Sequence, residues 1–275
     1  MTFDVSNLGV SSIAWEPDED LKVSEVLSSF GISNIDLTPS KYFAWNDNDA
    51  LDLATERREF WESRNFRIRG VQSLLFGAPT WNILNKDDWT KLFEHFEKVF
   101  RVTEALGARY LVFGSPGNRK LDGRTQNESL DLAEEFFGQL ANILLDRDLV
   151  LTIEANPERY GCDFLTRTFE STELVRRIAS PNIASQLDLG TCLINSENLR
   201  ELSTCAENLA YIHLSSLDLK PLHLEFNNLV LDYLAQPFAG NKVTIEQKSP
   251  LGMGAESIAS TIDWLLEQME DQAGA

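Results

Sequence analysis

Four short apolar runs in the second half of the sequence each end on, or next to, a residue that can bind a metal or move a proton. LVLTIE ends at Glu154, IASQLD ends at Asp188, LAYIHL carries His213 beside its last residue, and KVTIE ends at Glu246. If these runs are neighbouring parallel strands, their C-terminal ends bring two glutamates, an aspartate and a histidine to one place. Three carboxylates in a dry pocket cannot all stay ionised unaided. One divalent cation would remove the conflict. Three carboxylates and an imidazole favour Mn²⁺ and also suit Mg²⁺, Co²⁺ or Zn²⁺. Taken singly, each residue has an ordinary reading. A strand-end carboxylate often caps the next helix, and a lone histidine is often a hydrogen-bonded core residue. The recurrence on four successive strands points to the metal.

The elements that must position these residues alternate along the whole chain. Apolar β-branched runs read as buried parallel strands, and the amphipathic runs between them as helices. The strands are expected at 8–15, 32–37, 68–76, 109–113, 149–154, 183–188, 209–214 and 242–246. Helices are expected at about 18–30, 49–64, 88–106, 129–145, 171–178, 196–205, somewhere in 223–234, and 255–269. Gly31 and Gly107 stop the first and third helices. Eight strand–helix units predict a closed (β/α)8 TIM barrel spanning residues 1–275 as one domain. An open doubly wound sheet would carry a glycine-rich turn after its first strand, and IAWEPDED is not one.

Composition limits the function. The 275 residues carry 24 Lys+Arg against 43 Asp+Glu, a net charge of −19, which disfavours nucleic acid and anionic membranes as partners. Cys162, Cys192 and Cys205 form no CxxC pair, which fits a reduced, cytoplasmic setting. The N-terminus shows no signal-peptide pattern.

Glu, Asp, His and Glu ending strands five to eight, 34, 25 and 33 residues apart, resemble the ligand set of the xylose isomerase-like barrels. More narrowly, the chain resembles the sugar phosphate isomerase/epimerase group, which includes ketose 3-epimerases and hydroxypyruvate isomerases. LTIEANPERYG, QLDLGT, YIHLSS, VTIEQK and VFGSPGNR are each similar to segments of that group. Two positions depart from it. Thr191 stands where many members have a second histidine, and Ser216 where many have an acidic residue.

The resemblance implies a metal site of Glu154, Asp188, His213 and Glu246, and proton transfer beside a carbonyl through an enediolate. Glu154 and Glu246 would be the acid–base pair. Transfer between opposite faces gives epimerisation; transfer on one face to the adjacent carbon gives aldose–ketose isomerisation. The substrate would be a sugar, sugar phosphate or sugar acid, and the assembly a homodimer. Trp15 and Phe76, expected at strand ends, are candidates to wall the pocket, or to pack the core. Gln186 and Lys248 lie two residues from a ligand and so point the same way. Asn118 and Arg119, in the loop GSPGNRKLDGR, are candidates to capture an anionic substrate group. Three readings compete. An AP endonuclease-type nuclease needs more histidines than the three present. An inosose-type dehydratase would use the same metal site with an added general acid. A non-catalytic sugar-binding barrel would keep the site without turnover.

Overall fold

The computed structural model describes residues 7–78, 80–224, 230, 232–233 and 242–274. Eight parallel strands close into a barrel in sequential order. They are β1 (Leu8–Ser11), β2 (Asn34–Leu37), β3 (Arg67–Val71), β4 (Tyr110–Phe113), β5 (Val150–Glu154), β6 (Ile183–Asp188), β7 (Leu209–Leu214) and β8 (Lys242–Ile245). The helices packed outside are α1 (Asp20–Ser29), α2 (Ala50–Glu62), α3 (Trp89–Ala105), α4 (Gln126–Leu144), α5 (Thr168–Ile178), α6 (Leu189–Asn195), α7 (Leu199–Leu202) and α8 (Gly254–Gly274). Two local devices show how the sequence sets them. α3 buries Leu92, Phe96, Val99, Phe100 and Thr103, a helical stripe facing the sheet. α4 begins with a reciprocal capping box between Thr125 and Glu128.

Three expected elements differ. The first strand stops at Ser11, whose hydroxyl accepts from the Ile13 amide and starts a 3-10 turn over Ser12–Ala14. The third strand stops at Val71; the chain then turns through Ser73 in a left-handed conformation (φ 60°). The expected helix at 196–205 is replaced by α6, α7 and a 3-10 stretch. Asp188 caps α6 directly off its strand, and Ser196 in a left-handed conformation (φ 53°) ends it. The helix expected within 223–234 lies mostly outside the described residues.

Parallel registry sets the height of the site. Glu154 pairs with Gln186, Asp188 with His213, and His213 with Thr244. The barrel interior beneath is polar rather than filled by branched aliphatics. Tyr211 OH donates to Asp36 Oδ1 at 2.5 Å and accepts from Arg69 Nε at 2.9 Å. Arg69 also donates to the carbonyls of Asn7 and Val243 at the N-terminal mouth. Gly70 admits this network, since a Cβ there would stand 2.9 Å from Asp36 Oδ1. The buried arginine and aspartate thus meet through Tyr211 and plug the lower end.

Candidate active site

The strand ends deliver Glu154, Asp188, His213 and Glu246 to one cluster. One ligand atom from each lies within 4.8 Å of the other three. His213 Nδ1 is 3.0 Å from Glu154 Oε1 and 3.2 Å from Glu246 Oε2. Apart from these two close carboxylates, the buried ring nitrogens have no hydrogen-bond partner among the described residues. Leaving such nitrogens orphaned is costly. Both carboxylates converge on Nδ1, and the four side chains converge on one point, as ligands around a shared ion would. The residues present therefore fit a divalent cation bound through imidazole nitrogen and carboxylate oxygen.

Each of the three carboxylates is held from behind by a second side chain, as in a tuned metal site. Gln186 Nε2 donates to Glu154 Oε1 at 2.8 Å, and Thr152 Oγ1 donates to Gln186 Oε1 at 2.7 Å. Gln72 Nε2 donates to Glu246 Oε1 at 2.6 Å, and Ser11 Oγ donates to Gln72 Oε1 at 2.7 Å. Ser215 Oγ donates to Asp188 Oδ2 at 2.5 Å and accepts from the Gly190 amide. Asp188 Oδ1 accepts from the Thr191 amide at 2.6 Å, the first turn of α6.

The electrostatics follow from crowding. Burial, then the carboxylates of Glu154 and Glu246, push the Asp188 carboxyl up to about 7. Burial alone would lower His213, but Glu246 and Glu154 outweigh it and raise it well above the ordinary imidazole value. Burial alone would raise Glu246, but the facing His213 and the Gln72 amide hold it below the usual carboxylate range. The cluster without a cation therefore holds protons that a cation would displace.

A cleft of about 330 Å³ opens above the cluster, within the size range of small-molecule sites. Glu154, Asp188 and Glu246 lie at its floor, with Asn156, Tyr160, Ser216 and Lys248 among its walls. The β5 and β7 loops are tied across its rim. Arg159 pairs with Asp218 at 2.7 Å, and the Asp218 amide donates to Tyr160 OH. Asp218 and Leu219 are both left-handed (φ 56° and 57°), a strained pair of the kind found beside functional sites.

The other candidates are placed unevenly. Gln186 supports Glu154, and Lys248 lines the cleft. Trp15 is buried and its indole N–H donates to Asp20, because the strand ends before it. It packs the core and is not among the residues lining the cleft. Phe76 lies in the loop beyond β3, 69% exposed, and does not line the cleft either. Asn118 Nδ2 donates to the Trp81 carbonyl, joining two loops. Arg119 is fully buried and does not reach the rim. Gln72, Asn156, Tyr160 and Ser215 escaped the sequence reading. Ser215 lies two residues past His213, so strand alternation could have found it.

Comparisons place this geometry among known folds. The chain is similar to the 3-keto-D-glucoside 4-epimerase of E. coli (TM-score 0.75, 12% identity, 95% of this chain and 99% of that one). It is similar to D-allulose 3-epimerase from Methylomonas sp., solved with D-allulose (TM-score 0.75, 15% identity, 98% and 99%). It is also similar to an AP endonuclease of family 2 from Brucella melitensis (TM-score 0.72, 14% identity, 96% and 99%). No curated protein matches the sequence. A family model described as the xylose isomerase-like TIM barrel matches residues 25–269, and the chain belongs to that family.

Proposed function

We propose that the protein is a divalent-metal-dependent isomerase or epimerase acting on a sugar or sugar-acid substrate. The observation that carries this reading is the buried Glu154–Asp188–His213–Glu246 cluster on the floor of an open polar cleft. A bound divalent ion, Mn²⁺ for this donor set, would supply Lewis-acid stabilisation of negative charge on the substrate oxygens. The protein's own residues do the rest. Glu154 and Glu246 come from β5 and β8, the strands flanking the other two ligands. Each keeps one carboxylate oxygen fixed by an amide, so its orientation is set before substrate arrives. One glutamate removes the proton from the carbon beside the carbonyl, and the other returns one. Positioned groups of this kind contribute about 10²–10⁴-fold. Return to the opposite face inverts that carbon, and delivery to the neighbouring carbon moves the carbonyl. Asn156, Tyr160, Ser216 and Lys248 would meet the substrate's hydroxyl or acidic groups.

The nuclease reading does not suit this chain. His95 is bonded to the Leu74 carbonyl and His223 to Thr261, leaving His213 as the one histidine in the cluster. The net charge of −19 adds repulsion of a phosphate backbone. The test is to strip the protein of metal, reload it with Mn²⁺, and follow a panel of ketoses, ketose phosphates and short keto-acids by NMR. Interconversion that appears only in the reloaded protein supports the proposal. Equal conversion in the stripped protein, or none with any substrate, removes it.

A further inference from the structure

The segment GSPGNR, residues 114–119, lends Pro116 to the cleft lining and otherwise packs on Glu154. Gly114 lies against the Glu154 carboxylate, where a Cβ would stand 2.8 Å from Oε2. Ser115 takes a left-handed conformation (φ 41°), and Pro116–Asn118 turn the chain back in one 3-10 turn. That turn brings Arg119 inward. Its side chain is fully buried. Nη1 donates to the Glu154 carbonyl at 2.9 Å, and Nε donates to Cys162 Sγ at 3.2 Å. Cys162 in turn donates to the Phe164 carbonyl at 3.1 Å. Nη2 is buried and donates to no group among the described residues.

A guanidinium stays charged in a protein, and a buried charge without a counter-charge is expensive. No carboxylate of a described residue forms an ion pair with Arg119. The groups that hold the guanidinium are the Glu154 carbonyl, at the end of β5, and Cys162 Sγ, in the segment that follows it. Arg119 also fastens the loop after β5 through Cys162, and that loop carries Asn156 and Tyr160 into the cleft. The following residues lock the same junction, since the Leu121 amide donates to Asp163 Oδ1.

We propose that Arg119 is a positioning residue of the carboxylate cluster. It fixes the end of β5 and the loop beyond it so that Glu154 meets the other three ligands. This inference rests on the metal reading above. The forked guanidinium matters, because two acceptors on different segments are spanned at once.

The test compares wild-type protein with R119M and R119K, using Mn²⁺ alone as the probe. Mn²⁺ affinity is read by electron paramagnetic resonance, and thermal midpoints are read in EDTA. R119M should bind Mn²⁺ at least tenfold more weakly. R119K, which keeps charge but not the fork, should fall between R119M and wild type. A purely structural role would lower the EDTA midpoint and leave the Mn²⁺ affinity unchanged. Affinities of R119M within twofold of wild type would overturn the proposal. If R119M does not fold, R119K decides by the same twofold limit. Wild-type protein that takes up no Mn²⁺ would sink the metal reading and this inference together; wild-type uptake with unaffected variants sinks this inference alone.

Discussion

Gln72 and Glu246, 174 residues apart in sequence, meet across the top of the barrel through a 2.6 Å hydrogen bond from the amide to Oε1. The partner glutamate has the matching arrangement, with Gln186 donating to Glu154 Oε1. Hydrogen bonds to charged groups contribute about 1.5–3 kcal/mol. Gln72→Met should therefore reduce kcat by roughly 10- to 100-fold at saturating Mn²⁺. Circular dichroism should show an unchanged fold. A variant with wild-type kcat would show that Glu246 needs no such support.

A single substitution separates the capping contact of Asp188 from its proposed role as a metal ligand. Its Oδ1 caps α6, and an asparagine oxygen can do the same. The carboxylate charge is what a divalent ion requires. Asp188→Asn should keep the fold while metal content after dialysis drops sharply against wild type. Full metal occupancy in this variant would remove Asp188 from the ligand set.

The Asp188 shift gives a pH dependence. Its folded value of about 7 lies above the usual 3.8. Between those values the native state without metal binds more protons than the unfolded chain. That difference makes stability fall as pH rises through the window. Metal uptake reverses the sign, because the cation takes the proton's place. Mn²⁺ affinity should therefore rise with pH through about 7 and go on rising beyond it, because the raised His213 must also give up its proton. Calorimetry in two buffers of different ionisation enthalpy should record proton release on Mn²⁺ binding at pH 6. A flat affinity from pH 5 to 8 would contradict the coupled cluster.

Lys248 now carries the question of substrate charge. Among the described residues lining the cleft it is the one cation, and the rim carboxylate Asp218 is already paired with Arg159. Lys248→Met should raise KM for a phosphorylated or carboxylated substrate by about tenfold or more, the scale of a charge-assisted contact. The neutral counterpart should be little affected. Equal effects on both would show that Lys248 does not read charge.

The sequence made the site's centre legible because Glu154, Asp188, His213 and Glu246 terminate buried runs whose period-two pattern is local. Registry then follows from closing eight such strands, and six strands, β2 and β4 to β8, end within a residue of expectation. Contacts between distant segments were not legible. Arg119 looks like a rim cation in a glycine-rich loop, and only the strained turn at Ser115 sends it inward. Trp15 and Phe76 prolong apolar runs, but the Ser11 cap ends the first strand and the chain turns at Ser73 beyond Val71. Tyr160 and Asp218 meet across two loops, and no spacing in the chain encodes that encounter.

The central claim is a metal-dependent proton transfer by the two glutamates, and solvent exchange reads it directly. Wild-type, metal-stripped and Glu246→Gln proteins would be incubated in D₂O with the ketoses D-fructose, D-ribulose and D-xylulose and with their phosphates. Proton NMR would follow the hydrogen on carbon beside the carbonyl. The account predicts washout of that signal by Mn²⁺-loaded wild-type protein and none by the stripped protein. The Mn²⁺-loaded Glu246→Gln variant should be slowed by about 10² or more, since its amide keeps an oxygen ligand but accepts no proton. Exchange at the wild-type rate in that variant, or in protein without metal, would contradict the account.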